Sequence, residues 1–324
     1  VSLHYVLLLM LVFSAATIVT WGAIRYALWR QLLDQPGERR SHQVTTPRGG
    51  GIGIVVSQLL ACMLAVALLP VFAIPVTVFA LGLLLVAGIG WWDDHRALPA
   101  LPRLCVHLVA ALLLGAMVWA ESGSLLKALF CAGLAVSLIN IWNFMDGING
   151  LAATQAIIVG LGAVLLLPQP YSFAAWAFVV GCAGFLPFNF PRARVFMGDV
   201  GSGALGYLVA GVLALGLCVT EVAPVLWLLL PVAFFIDAGF TLLLRILNGE
   251  PWMEAHTQHL YQRLVKRDFS HFAVTLGYVA FSLIGLTIAV VFSRLPLVWG
   301  WAGGSICIAA ATVIWISFRA RSIS

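Results

Sequence analysis

Long apolar runs alternate with short polar gaps along almost the whole chain. A helix needs about 20 mostly apolar residues to cross a bilayer. Eleven runs approach that length: 3–23, 51–69, 73–90, 103–120, 125–142, 151–167, 172–188, 202–219, 223–247, 273–292 and 298–317. The pattern predicts an all-α polytopic membrane protein of about 11 transmembrane helices, organised as one domain over residues 1–324. The first run lacks a basic segment before it and an A-x-A site after it, so it reads as a retained span rather than a removed signal.

Composition strengthens this picture. Charged residues make up 9% of the chain and hydrophobic ones 62%, against roughly 25% charged in a soluble domain. The six cysteines form no C-x-x-C pair and lie mostly in apolar runs, so neither a disulfide framework nor a zinc site is expected. The charges then orient the chain. All but Lys127 and Arg294 of the 17 lysines and arginines fall in alternate gaps. The positive-inside rule puts those gaps and the C-terminus in the cytoplasm, and the N-terminus outside.

The acids gather on the same side, in gaps with their own patterns. In "GWWDDHRALPALPR", Asp93 and Asp94 adjoin at a helix end. Their mutual repulsion suits a divalent cation, or a solvated helix end beside an aromatic belt. In "NIWNFMDGING", Asn140, Asn143, Asp146 and Asn149 recur every three residues. A helical extension of the fifth span would align the first three, and Gly147 and Gly150 would end it. In "NFPRARVFMGDVGSGALGY", Asp199 sits between glycines that let a bulky ligand approach, or it caps the next helix. Phe196 there could anchor at the interface or stack on a base.

Two more gaps are basic. "EAHTQHLYQRLVKR" places His256 and His259 three apart with Arg263, which fits phosphate contact or an amphipathic interfacial helix. "RRSHQVTTPRGGGIG" joins cations, hydroxyls and glycines, for phosphate binding or for small-residue packing beside positive-inside arginines. Asp237 differs, lying inside the ninth span six residues after Pro231. An intramembrane acid marks function or an interhelical hydrogen bond, here with Arg245 or a loop as partner. Carboxylates for a metal, cations for phosphates, and an aromatic with amides for a base make up the inventory of phosphoryl transfer between a soluble nucleotide and a lipid.

The combination resembles the polyprenyl-phosphate N-acetylhexosamine-1-phosphate transferases. The matching motifs are "SH…TPRGGG" at Ser41–Gly51, "DDHRALPALPR" at Asp93–Arg103, "NIWNFMDGINGLA" at Asn140–Ala152, "VFMGDVGS" at Val195–Ser202 and "HTQHLYQRL" at His256–Leu264. The last motif and the chain length are most similar to the WbpL-type group that initiates O-antigen synthesis.

The resemblance implies transfer of a sugar 1-phosphate from a UDP-N-acetyl sugar to undecaprenyl phosphate, with UMP released and Mg²⁺ (or Mn²⁺) as cofactor. It implies a cytoplasm-facing site in the bacterial inner membrane, a homodimer, and no nucleic-acid partner. Asp93, Asp94 and Asp199 match the catalytic acids, with Asp199 and Asp94 at the metal. Asn143, Asp146, Asn149 and Phe196 match nucleotide-sugar contacts, and Arg103, His256, His259 and Arg263 match phosphate contacts. Three departures point toward an O-antigen-type substrate. His95-Arg96-Ala97 follows the acid pair without a third acid or lysine, Asn149 replaces an acid, and the histidine loop has two histidines rather than three. The competing class is a transporter of lipid-linked sugars, which usually carries its polar residues at the bilayer midplane and repeated halves. Neither feature is visible in this chain.

Overall fold

A computed structural model describes residues 3–35, 44–251 and 256–321. Arg39, Arg40, Ser41 and His42 of the first basic gap, and Glu254 of the histidine gap, lie outside the described residues.

The chain is an all-α membrane protein. Helices α1 (Leu3–Arg30), α2 (Ile52–Leu68), α3 (Ala73–His95), α4 (Ala100–Ser122), α5 (Leu125–Met145), α6 (Leu151–Leu166), α7 (Ser172–Asn189) and α8 (Asp199–Val219) follow one another through short connectors. Then come α9 (Pro224–Leu229), α10 (Val232–Phe234), a π-helical turn (Phe235–Gly239), α11 (Phe240–Leu247), α12 (Leu260–Lys266), α13 (His271–Phe292) and α14 (Leu297–Arg321). A helix meets its backbone hydrogen bonds internally, which is what an apolar solvent demands.

Among the described residues, eight helices are long and apolar enough to cross a membrane, and α2 and α6 are shorter apolar helices. The ninth predicted span is not one helix. Pro231 has no N–H to continue the ladder, and the segment breaks into α9, α10, the π turn and α11. A two-residue antiparallel ladder, β1 (Leu33–Asp34) with β2 (Thr46–Pro47), bridges the gap between α1 and α2, which the apolar pattern did not anticipate.

Helix α8 is the axis of the bundle and is buried along nearly its whole length. It packs against α3 and α5, and α4 completes that group; α6, α7, α1 and α2 form the adjoining group. Helix α13 lies on α6, and α14 lies on α9. Outer helices turn leucine, isoleucine, valine and tryptophan outward, as lipid contact requires. The up-and-down order brings the end of α3, the start of α4, the end of α5 and the start of α8 to one end of the bundle. All six cysteines are free thiols.

Candidate active site

The helix ends that meet at that end of the bundle are tied together by charge. Arg103, in the first turn of α4, donates from one Nη1 to Asp93 Oδ2 at 2.8 Å and to Asp199 Oδ2 at 3.0 Å. Asp93 ends α3 and also accepts from the Leu98 amide, which fixes the α3–α4 turn. Asn143, in the last turn of α5, donates to Asp199 Oδ1 and to Ser202 Oγ, both at 3.0 Å. Four helices therefore converge on one carboxylate, Asp199.

Asp94 plays a different part from its neighbour. Its side chain is almost wholly buried. Oδ1 accepts from the Asp199 amide at 2.9 Å and from Arg48 at 2.6 Å, while Oδ2 accepts from the Val200 amide at 3.0 Å. Asp94 thus satisfies the first amides of α8, where a helix leaves N–H groups without partners. The sequence reading grouped it with the metal-holding acids; in the structure its oxygens are spent on these donors.

The approach is possible because side chains are missing where backbones meet. A Cβ on Gly51 would lie 2.4 Å from the Gly201 Cα, so α2 and α8 start against each other. Gly198, which precedes α8, has φ +75°, and a Cβ there would strike Asp94 Oδ2. The segment before α8 is also zipped to the 47–51 segment. The Phe196 amide donates to the Pro47 carbonyl, and the Gly50 and Gly51 amides donate to the Phe196 and Met197 carbonyls. Phe196 is half-buried at this seam.

The Asp146–Gly150 turn forms the next wall. Asp146 follows α5 directly, and Gly150 opens α6 in the left-handed region rather than closing α5 as the spacing suggested. Asn140 turns back onto its own helix at the Val136 carbonyl, away from the cluster. Asn149 donates to the Pro191 carbonyl, and its own carbonyl accepts from Thr275. Asn189 went unremarked in the sequence. Its buried amide accepts from Gly150 N at 2.7 Å and donates to the Val195 carbonyl at 2.9 Å, locking this turn to the segment before α8. Burial, then repulsion from Asp199 and Asp94, pushes the Asp146 carboxyl up to about 8, with Arg48 pulling it back.

The histidine loop lies beyond that turn. His256 and His259 precede α12 rather than sharing a helical face, yet their rings are 4.7 Å apart. His259 is buried, its Nδ1 has no hydrogen-bond partner among the described residues, and its ring stacks beside Phe144. Burial, then the neighbouring His259, pushes His256 down to about 4, and burial also lowers His259. Arg263 donates to the Gln258 carbonyl within the loop. Tyr261 joins loop to turn: its hydroxyl donates to the Phe144 carbonyl at 3.0 Å and occupies the place a Gly147 Cβ would take.

Comparison with known proteins places the chain in a family. Residues 76–217 match the family model "Glycosyl transferase family 4". A Mycobacterium tuberculosis decaprenyl-phosphate N-acetylglucosaminephosphotransferase is 30% identical over 84% of this chain and 81% of its own. The chain belongs to the polyprenyl-phosphate N-acetylhexosamine-1-phosphate transferase superfamily. Other members of the family show similar likeness. A Bacillus subtilis protein named "Probable undecaprenyl-phosphate N-acetylglucosaminyl 1-phosphate transferase" is 28% identical over 87% of this chain and 83% of its own. A Moorella thermoacetica phospho-N-acetylmuramoyl-pentapeptide-transferase is 34% identical over 58% of this chain and 67% of its own. The matched segment of the family model runs from α3 to α8, the helices whose ends carry Asp93, Arg103, Asn143 and Asp199.

The donor set suits a hard divalent cation. Asp93 and Asp199 carry carboxylate oxygens beside Arg103, whereas those of Asp94 are taken by Arg48 and the first amides of α8. Among the described residues no group of three or more His, Cys, Asp or Glu side chains is placed to hold a metal ion by itself. Mg²⁺ does not need one, because it is commonly held by one or two carboxylates together with water and substrate phosphates.

Proposed function

We propose that this family member transfers an N-acetylaminosugar 1-phosphate from a UDP-sugar to undecaprenyl phosphate. The products are undecaprenyl-pyrophosphoryl-sugar and UMP, and the step initiates O-antigen or another cell-surface polysaccharide. The observation that carries the reading is the Arg103 bridge between Asp93 and Asp199, with Asn143 on the same carboxylate, in a chain of this family. The relatives' names supply the N-acetyl sugar phosphate and the polyprenyl acceptor.

An oxygen of the acceptor phosphate attacks the β-phosphorus of the donor. The bond between the two donor phosphates breaks, and UMP leaves with its electron pair. A phosphate monoester has its second pKa near ~6, so it needs little deprotonation at neutral pH. The harder task is bringing one anion onto another. Arg103 and Arg48 supply fixed positive charge beside the acids, which lowers that repulsion. Mg²⁺ (or Mn²⁺), held chiefly by Asp199, would supply further charge neutralisation. Asp94 keeps the first turn of α8, and so Asp199, in place. Asp93 is oriented by Leu98 N and Arg103, and a general-base role for it is secondary.

His256 and His259 are neutral rings, so in this reading they serve a diphosphate as N–H donors rather than as cations. Asn149 and Phe196 are assigned to nucleotide-sugar contact by motif, and Arg263 to phosphate contact. The site faces the cytoplasm of a bacterial inner membrane by charge asymmetry, and a homodimer is the proposed assembly.

The test is UMP release by the purified protein from UDP-GlcNAc, UDP-FucNAc, UDP-QuiNAc and UDP-GalNAc. Release is expected from one or more of them, only with undecaprenyl phosphate and Mg²⁺ present. Absence of release from all four, with movement of a lipid-linked sugar across proteoliposomes, would establish the transporter instead.

A further inference from the structure

Among the described residues, Asp237 is the one buried acid that the proposed mechanism does not use. It lies in the π-helical turn between α10 and α11 and is 1% exposed. Single π turns inside helices often mark functional positions. Arg245, the cation expected beside it, pairs instead with Glu250 and the Pro251 carbonyl. Asp237 takes four uncharged donors. Oδ1 accepts from Leu260 N at 2.8 Å and Trp315 Nε1 at 3.2 Å, and Oδ2 accepts from Tyr278 Oη at 2.6 Å and Tyr261 N at 3.4 Å.

These donors come from three elements. Tyr278 of α13 and Trp315 of α14 aim the carboxylate, and the carboxylate takes the first two amides of α12. His259 immediately precedes those amides, and its own amide donates to Gln262 Oε1 at 3.2 Å. Tyr261 carries the second of them and rests on Phe144 and Gly147, one residue from Asp146. A physical chain therefore runs from Asp237 through the start of α12 to the wall of the candidate site. The Gln258 carbonyl, on the other side of His259, accepts from Arg319 of α14 and from Arg263.

We infer that Asp237 is a positioning residue for the donor side of the reaction: it fixes the histidine loop against the Asp146–Gly150 turn in the form that receives the nucleoside diphosphate. The inference rests on the reading of the loop as a diphosphate contact. Among the described residues, Asp237 bonds to Leu260, Tyr261, Tyr278 and Trp315 and to no member of the Asp93–Arg103–Asp199 cluster. Its loss should weaken donor binding and spare the acceptor.

Asp237→Asn keeps the shape and one acceptor oxygen. Its NH₂ group can suit Tyr278, whose hydroxyl can turn to accept, but it leaves one amide of α12 without a partner. Tyr261→Phe leaves Asp237 intact and removes only the bond to Phe144, so it probes the far end of the same chain. Full-length protein in nanodiscs would be measured for UDP binding by calorimetry, for exchange of the Leu260 and Tyr261 amides, and for both substrate KM values.

Asp237→Asn is expected to weaken UDP binding and raise donor KM about tenfold, with acceptor KM within about twofold and faster exchange at both amides. Tyr261→Phe should move the same quantities in the same direction by a smaller factor. A lowered Tm with UDP affinity and donor KM unchanged in both variants would overturn the inference and make Asp237 a fold staple. The wild-type control separates this from the parent reading. If wild type releases no UMP from any donor, the reaction is misassigned, whereas positioning is still supported by weaker UDP binding with faster exchange, and refuted by their absence.

Discussion

The two halves of the candidate site handle electrostatics in opposite ways. On the α3–α4–α5–α8 side, Asp93, Asp94 and Asp199 pair with Arg48 and Arg103, and each of these three side chains is bound by the backbone or side chain of another helix. On the α12 side, the ionisable rings are neutral, because burial removes their charge, and an acid lying off the reaction path holds the loop. The first half can offset charge and the second can shape a contact. A transfer between two anionic substrates needs both, since charge neutralisation alone does not orient a nucleotide.

This contrast predicts a graded set of losses. Asp199→Asn strikes the carboxylate on which four helices converge, and it should abolish Mg²⁺-dependent turnover, by about 10³-fold or more, with the protein still folded. Near-normal activity in that variant would remove Asp199 from the metal. Arg103→Ala should come next. It frees Asp93 and Asp199 to repel each other and removes a cation from the phosphates, for a kcat loss of about 10²-fold with a smaller change in donor KM. A donor KM effect larger than the kcat effect would move Arg103 to the binding half.

Gly51→Ala tests the scaffold rather than the chemistry. The new methyl meets the Gly201 backbone, which cannot swing aside as a side chain could. A stability loss of about 1–3 kcal/mol is expected in thermal unfolding, as for other overpacked contacts. An unchanged Tm would show that α2 and α8 separate easily.

The smallest effect belongs to the neutral half. His256 has its folded pKa depressed to about 4 from 6.5. Below 6.5 the unfolded chain binds a proton that the folded chain does not. Stability from this group is therefore complete above 6.5 and is lost as pH falls toward 4. His256→Gln should flatten the fall in Tm over that window and leave the neutral-pH value nearly unchanged. Parallel Tm–pH curves for variant and wild type would show that the ring is not buried as neutral imidazole.

How far the sequence foretold this depends on the range of the interaction. Hydropathy is local, and it located helical segments at every predicted run, failing only where Pro231 breaks the ninth into pieces. The polar gaps at Asp93, Asn143 and Asp199 could be grouped because up-and-down helices return alternate gaps to one end. Pairings between side chains could not be read, since they depend on which helix faces which. The motif match puts Asp94 rather than Asp93 at the metal, yet Asp94 turns to the amides of α8 and Asp93 to Arg103. Arg48 sat inside a motif without a partner assigned to it. Asn189 ends an apolar run with nothing local to mark its bonds to Gly150 and Val195. Asp237 was visible as an intramembrane acid, but its partners lie 23 to 78 residues away.

The central claim is that the β-phosphate travels with the sugar. Purified protein would be given a UDP-N-acetyl sugar labelled in the β-phosphate, together with undecaprenyl phosphate and Mg²⁺, and the label followed between lipid and water. The account predicts that the label enters the lipid as UMP appears, and that Asp199→Asn leaves it in the water phase. Release of labelled UDP, with the sugar alone on the lipid, would contradict it.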